Sequence, residues 1–400
     1  MDNITHSLFG AAVSETLWAA LPEPTKRSFA PQTRKAFFLA SVVGNNFPDL
    51  DFLYAPFMHS NPQLGNLLHH RGHTHTVPMA LLQSLLLLGI VSLLQRTLKR
   101  FHFTVEWRWI SILAFLAPLT HIALDFLNNY GVHPFWPFDN HWKYGDWLFV
   151  LEPWAWATLT PCLFLLAPTK KGKALYFLIG FLGLVLSWGL GVVPVLMCGV
   201  LTLWTLLLLG ALTFLKDKGK IFLTWSALLA LLLVFKAGQK STEALVGKSP
   251  LTDTILSPLP VNPLCWAVVT VETTPTELHL KRAIAAPFPK ILSLKTCTKL
   301  RFFSSELASA TPDSQVLWET EHVVSLAELR SLKEQFCDVR DFLHFSRAPY
   351  FWKDETGLYF SDLRFERANR RSFARIKISS HSAPCPNSRA PWLPPIPLAD

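Results

Sequence analysis

Four histidines fall within seven residues in His69-His70-Arg71-Gly72-His73-Thr74-His75, at the mouth of an apolar run. Imidazole nitrogen suits zinc and similar ions, and a turn can aim several rings at one point. Not all four need coordinate, because some can orient their neighbours. The competing reading is a solvated polar loop. The stretch Asn45-Asn46-Phe47-Pro48-Asp49-Leu50-Asp51 ends the preceding apolar run. Asp49 and Asp51 flank one residue, so extended backbone would send both carboxylates the same way, and Pro48 favours a turn. Two carboxylates can share metal ions and hold a nucleophilic water between them; otherwise they belong to a capped helix end. In Thr120-His121-Ile122-Ala123-Leu124-Asp125, near the end of an otherwise apolar run, His121 and Asp125 are four apart. On a helix they share a face and can address one ion. A carboxylate in lipid needs a cavity or a partner, so a private packing pair and a proton relay both compete with metal binding.

Further candidates are weaker by type or position. His6 follows Thr5, and alone it reads as a surface or packing residue. Asp2 is close to the terminus. The segment from Gly131 to Asp139 carries His133, two prolines and three aromatics, which suits a rigid cap at headgroup level. Arg71 offers a planar fork that fits phosphate or carboxylate, including Asp49 or Asp51.

These residues need elements to carry them, and the composition says of what kind. The 400 residues are 50% hydrophobic and only 16% charged, against about a quarter charged in ordinary soluble domains. Apolar runs concentrate in the first 238 residues. A spanning helix needs about 20 apolar residues, which predicts spans at roughly 78–95, 109–127, 147–167, 174–190, 195–215 and 221–236. Two shorter runs, 4–20 and 36–52, carry polar groups and read as spans or partly inserted helices. The fold class is thus mainly α, with about eight membrane helices. Basic residues sit on alternate loops: Lys26, Arg27, Arg34 and Lys35; Arg96, Lys99, Arg100 and Arg108; Lys170, Lys171 and Lys173; Lys216, Lys218 and Lys220. Such loops are cytoplasmic. Every motif above then falls on the opposite face, which is what a shared site requires. This placement, rather than one basic patch, explains the net charge of +9 and argues against a nucleic-acid partner. The start Met1-Asp2 has no basic leader, so no cleavable signal peptide is expected.

Residues 239–380 read as an α+β domain on that same outer face. The stretch SPLPVNP at 257–263 opens it, CWAVVTVET and LYFSDLRFE have strand composition, and SLAELRSLKEQF reads as a helix capped by Ser325. Residues 381–400 form a Pro-rich tail, expected to be irregular. Cys162 and Cys198 lie in apolar runs as packing residues. Cys265, Cys297, Cys337 and Cys385 can form two disulfides in an oxidising compartment, in pairings the spacing does not choose.

Thr5-His6 with Gly10, Pro48-Asp49-Leu50-Asp51, His70-Arg71-Gly72 with Thr74-His75, His121 with Asp125, and the Gly131-to-Phe138 turn occur in one order over about 140 residues. Together they resemble the YdjM-like family of inner-membrane metal-dependent hydrolases. That resemblance implies a helical membrane domain with metal ligands at His6, Asp49, Asp51, His70, His75, His121 and Asp125. The family commonly has Thr-His-Ser where this chain has Thr74-His75-Thr76, and His69 and His73 are additional here. The expected function is hydrolysis assisted by one or two divalent ions, zinc being favoured by the histidines. An ion of that kind lowers the pKa of bound water toward about 7. Asp49 or Asp51 would bridge ions or take the water's proton, and Arg71 would steady an anionic group. The outer leaflet suggests a lipid or lipid-linked ester or phosphoester as substrate. An ion- or proton-coupled transporter and a non-enzymatic metal-stabilised scaffold are the alternatives.

Overall fold

The computed structural model describes residues 1–97, 106–247, 252–298, 315–366, 372–378 and 390–396. Lys99, Arg100, Cys385 and most of the Pro-rich tail lie outside the described residues. Helix α1 (Asn3–Ala20) begins where Asp2 caps it, accepting from the Thr5 N–H at 2.9 Å and the Thr5 hydroxyl at 2.6 Å. An acid there satisfies an orphan donor and complements the helix's positive end. After the short α2 (Glu23–Ser28), α3 (Thr33–Gly44) returns along α1. A Cβ on Gly10 would lie 2.8 Å from the Ser41 carbonyl oxygen, so glycine is what lets the two backbones meet. Helix α3 stops at Gly44, and Pro48 opens a 3-10 turn over Pro48–Leu53, where a single run to residue 52 was expected.

Next come α4 (Pro62–His69), α5 (Val77–Thr97), α6 (Trp107–Phe126), α7 (Pro153–Leu166), α8 (Lys170–Gly189), α9 (Val195–Thr213) and α10 (Asp217–Val246). Five of them, α5, α6, α8, α9 and α10, are long and apolar enough to cross a membrane. The expectation of about eight spans exceeds this number for physical reasons. With 12 and 14 residues, α3 and α7 reach only about 18 and 21 Å, against a hydrocarbon core of about 30 Å. Helix α1 has 18 residues but buries Thr5, His6, Ser14 and Glu15. It packs against α3, α6, α7 and α10 rather than facing outward. Helix α7 is buried on every side from Pro153 to Leu163. The outward apolar faces belong to the long helices, through Leu82, Leu85 and Leu86 on α5, Phe177 and Phe181 on α8, and Leu206 and Leu207 on α9. Such a band is costly in water and ordinary in lipid.

The bundle is polarised along its axis. At one end Arg34 pairs with Glu15 at 2.6 Å and donates to the Leu166 carbonyl at 2.7 Å, tying α1, α3 and α7 beside the basic loops. At the other end lie the starts of α1, α5 and α7 and the ends of α3 and α6, which carry the His/Asp motifs.

Helix α10 continues to Val246, past the expected limit at residue 238, and leads into a four-stranded antiparallel sheet. Its strands are β1 (Asp253–Leu259), β2 (Asn262–Thr273), β3 (Glu277–Ala285) and β4 (Val316–Ser325), with α11 (Leu294–Thr298) between the last two. The Pro-rich stretch is the β1–β2 hairpin, with Val261 at φ 60°. Ser325 caps α12 (Leu326–Gln335) by accepting from the Glu328 N–H at 3.4 Å. Helix α13 (Cys337–Leu343) follows, then a second sheet of β5 (Pro349–Asp354), β6 (Gly357–Asp362) and β7 (Ile376–Lys377). Cys265 and Cys297 form a disulfide, Cys337 is also disulfide-bonded, and Cys162 and Cys198 are free and buried. One apolar cluster joins Leu64, Leu67 and Leu68 of α4 and Trp142 to Val271, Leu280, Phe342, Phe345 and Trp392. The C-terminal part is therefore built onto the motif-bearing end of the bundle.

Candidate metal centre

The i, i+4 spacing on α6 brings His121 and Asp125 to one face, with Asp125 Oδ2 3.4 Å from His121 Nε2. The turn after α4 delivers His75, whose Nε2 lies 3.1 Å from His121 Nε2 and 3.2 Å from Asp125 Oδ2. The 3-10 turn after α3 delivers Asp49, with Oδ1 3.5 Å from both histidine Nε2 atoms. Donor atoms of all four residues lie within 4.8 Å of one another. Zinc bonds to histidine nitrogen and carboxylate oxygen of about 2.0–2.1 Å give a tetrahedron with edges of about 3.3–3.4 Å. The five separations above, 3.1 to 3.5 Å, match those edges. Imidazole nitrogen with carboxylate oxygen is a donor set that fits a divalent cation such as zinc.

Asp51 builds a second group beside the first. Its Oδ1 lies 3.0 Å from His70 Nδ1. Its Oδ2 accepts from the Arg71 N–H and the Thr74 hydroxyl, each at 2.8 Å, and lies 3.2 Å from His75 Nδ1. Asp49, Asp51 and His70 also offer donors within 4.8 Å of one another. Burial alone would push the Asp51 carboxyl up. The charge of His75 and the hydrogen bonds from His70 and His75 reverse this and hold it below the usual carboxylate range. The carboxylate is thereby kept as a ligand or acceptor.

His6 joins neither group. Its Nε2 lies 3.3 Å from the other oxygen of Asp125, its ring stacks on His121 at 3.6 Å, and neither ring nitrogen has a hydrogen-bond partner among the described residues. The Met1 amino group also bonds Asp125. Arg71 was expected to offer an anion contact or to pair with Asp49 or Asp51. Its side chain is instead 3% exposed and committed, with Nε 3.0 Å from Asp125 and a bond to Asn128 at 2.8 Å. Only its backbone N–H serves Asp51, from a left-handed conformation at φ 62°. The four clustered histidines divide. His70 and His75 face carboxylates, whereas His73 packs against Trp136 at 4.8 Å and Trp392 at 4.9 Å, and the His69 ring stacks parallel to it. His133 lies between Trp142 and Trp392, and burial pushes its imidazole down to about 3. Asp139 pairs with His141 and Lys143, away from both groups.

Other contributors carry no metal-ligand signature of their own. The Asn45 carbonyl oxygen lies 2.5 Å from His121 Nδ1, which fixes the ring with Nε2 toward the cluster. Asn3 donates to Asp49 Oδ2 at 2.7 Å. The adjacency of Asn45 to the Asp49 motif was the one available signal.

Residues 1–194 match the family described as YdjM inner membrane protein. That stretch contains all seven expected ligands and both donor groups. Residues 1–194 belong to the YdjM family. The chain is also similar to uncharacterized protein YfhP of Bacillus subtilis (strain 168), 28% identical over 142 residues. The similarity covers 36% of this chain and 39% of that relative, so the chain spans about two fifths of the relative's length. No solved structure matches the chain. The YdjM region thus ends before α9, and the C-terminal sheets lie beyond it.

Proposed function

We propose that this protein is a membrane-bound, metal-dependent hydrolase that cleaves an ester or phosphoester of a lipid or lipid-linked substrate at the outer face of the inner membrane. The observation that carries the reading is the near-tetrahedral spacing of donors from Asp49, His75, His121 and Asp125 at one end of the bundle. A divalent ion held there, zinc on the strength of the nitrogen donors, supplies Lewis acidity and acidifies a bound water. The chain's own residues do the rest. Asp49 is the least buried of the four, 14% exposed at its side chain, and so marks the side from which water and substrate would reach the ion. Asp51 holds His75 through Nδ1, leaving Nε2 free to coordinate. Arg71 offsets the charge of Asp125 in a site with three carboxylates. The outward orientation is supported by the basic loops at the opposite end and by the Cys265–Cys297 disulfide, which persists in oxidising compartments.

The test uses detergent-purified protein, freed of loosely bound metal, in a screen of carboxylic esters, phosphomonoesters and phosphodiesters that includes lipids. Wild type is expected to retain metal and turn over at least one class, with activity falling to background on chelation. A His70→Ala/His75→Ala double variant should lose both. Equal and negligible metal in the two proteins would sink the reading. The burial of His75, His121 and Asp125 gives some support to a metal-stabilised scaffold instead. A scaffold would retain metal and hydrolyse nothing in the screen.

A further inference from the structure

The two donor groups are not alternatives, because they overlap at one residue. We infer that the centre holds two divalent ions, with Asp49 shared between a buried position made by His75, His121 and Asp125 and a solvent-facing position made by Asp51 and His70. This rests on the metal-binding part of the proposed function and adds the number, ligands and division of labour of the ions. Each group offers three or four donors within 4.8 Å, and Asp49 belongs to both. A carboxylate with two oxygens can serve ions about 3.5–4 Å apart, the spacing of two-metal hydrolytic sites.

The groups differ in access. His75, His121 and Asp125 are fully buried, whereas the His70 side chain is 32% exposed. The buried position is therefore closed by protein, and the His70 position has room for water or a substrate oxygen. Asp51 mechanically links the two, because one of its oxygens meets His70 Nδ1 and the other meets His75 Nδ1.

The experiment is a titration of metal-free, detergent-purified full chain with Mn2+ alone, read as bound equivalents and by electron paramagnetic resonance. Wild type is expected to bind two equivalents per chain and to give an exchange-coupled spectrum. His70→Ala, at a partly exposed position, should bind one equivalent and give the six-line spectrum of isolated Mn2+. One uncoupled equivalent in wild type would overturn the inference. Because that result is read on wild type, misfolding of the variant cannot produce it. One uncoupled ion with ester or phosphoester hydrolysis would overturn the two-ion arrangement and leave the hydrolase reading standing. Two coupled ions without any hydrolysis would support the arrangement and remove the hydrolase reading. No bound Mn2+ would overturn both.

Discussion

Glu152 shows how a single side chain can tie the two parts of this molecule together at a cost that depends on pH. It is fully buried at the start of α7, where its Oε1 accepts from the Trp154 N–H at 3.4 Å and the Val261 N–H at 3.2 Å. Its Oε2 has no hydrogen-bond partner among the described residues. Burial outweighs the two backbone donors and pushes the carboxyl up from 4.5 to about 8. Between those values the folded chain keeps a proton that the unfolded chain has released. Stability should therefore fall as pH rises through this window, by as much as about 1.4 kcal/mol per unit. Glu152→Gln keeps an acceptor for both N–H groups and removes the titration. Thermal unfolding in detergent, followed from pH 5 to pH 8, should show a wild-type midpoint that declines more steeply than that of the variant. Parallel declines would refute the account. Glu152 escaped assignment from sequence because its partner Val261 is 109 residues away.

At the scale of elements, the contact of α1 with α3 sets where the site can form, since α1 brings Asn3 and His6 while α3 leads directly into Asp49. Gly10 is the pivot. An added Cβ would lie 2.8 Å from Ser41 O and 2.9 Å from Val42 Cα, both backbone atoms that cannot swing aside. Alanine gains about 1 kcal/mol of helix propensity over glycine. Overpacking of this kind costs about 1–3 kcal/mol, so the net effect of Gly10→Ala should be a lower unfolding midpoint and weaker metal retention. Gly89→Ala on α5 is the control, because nothing lies within 4 Å of a Cβ there. That change should leave both measurements unchanged or raise the midpoint, and equal effects at the two glycines would argue against the packing account. The same helices show what sequence can convey. His121 and Asp125 were legible because helical spacing is local, and Ser325 because capping is local. The split of His69 and His73 from His70 and His75 was not legible. It depends on Trp392, which arrives from more than 300 residues away and donates its indole N–H to Leu68 O at 2.7 Å. Apolar composition reports burial without saying whether lipid or protein does the burying, so α1, α3 and α7 read like the five longer helices that present outward apolar faces.

At the scale of the whole molecule, the two ends of the bundle differ in kind. Basic loops gather at the Arg34 end, the donor groups lie at the other, and the disulfide-bearing part is fastened to that second end. Arg347 provides one fastening: it reaches Asp146 at 3.1 Å and Asp253 at 2.8 Å and lies 4.0 Å over the Tyr144 ring. Buried pairs of this kind tolerate no half-measures, since stranding one charge costs about 3–5 kcal/mol. The C-terminal sheets and the centre must therefore lie on the same side of the membrane, whichever side that is. Thiol labelling decides it. Cys162 and Cys198 are buried, and Cys265, Cys297 and Cys337 are disulfide-bonded, so the described native cysteines give little background. Ser60→Cys places an exposed thiol shortly before α4, near the centre, and Ser28→Cys places one in the first basic loop. In intact cells a membrane-impermeant maleimide should label Ser60→Cys at once and Ser28→Cys only after permeabilisation. The reverse pattern would put the centre in the cytoplasm, and with it any substrate, because the donor groups and Ser60 share one end of the bundle.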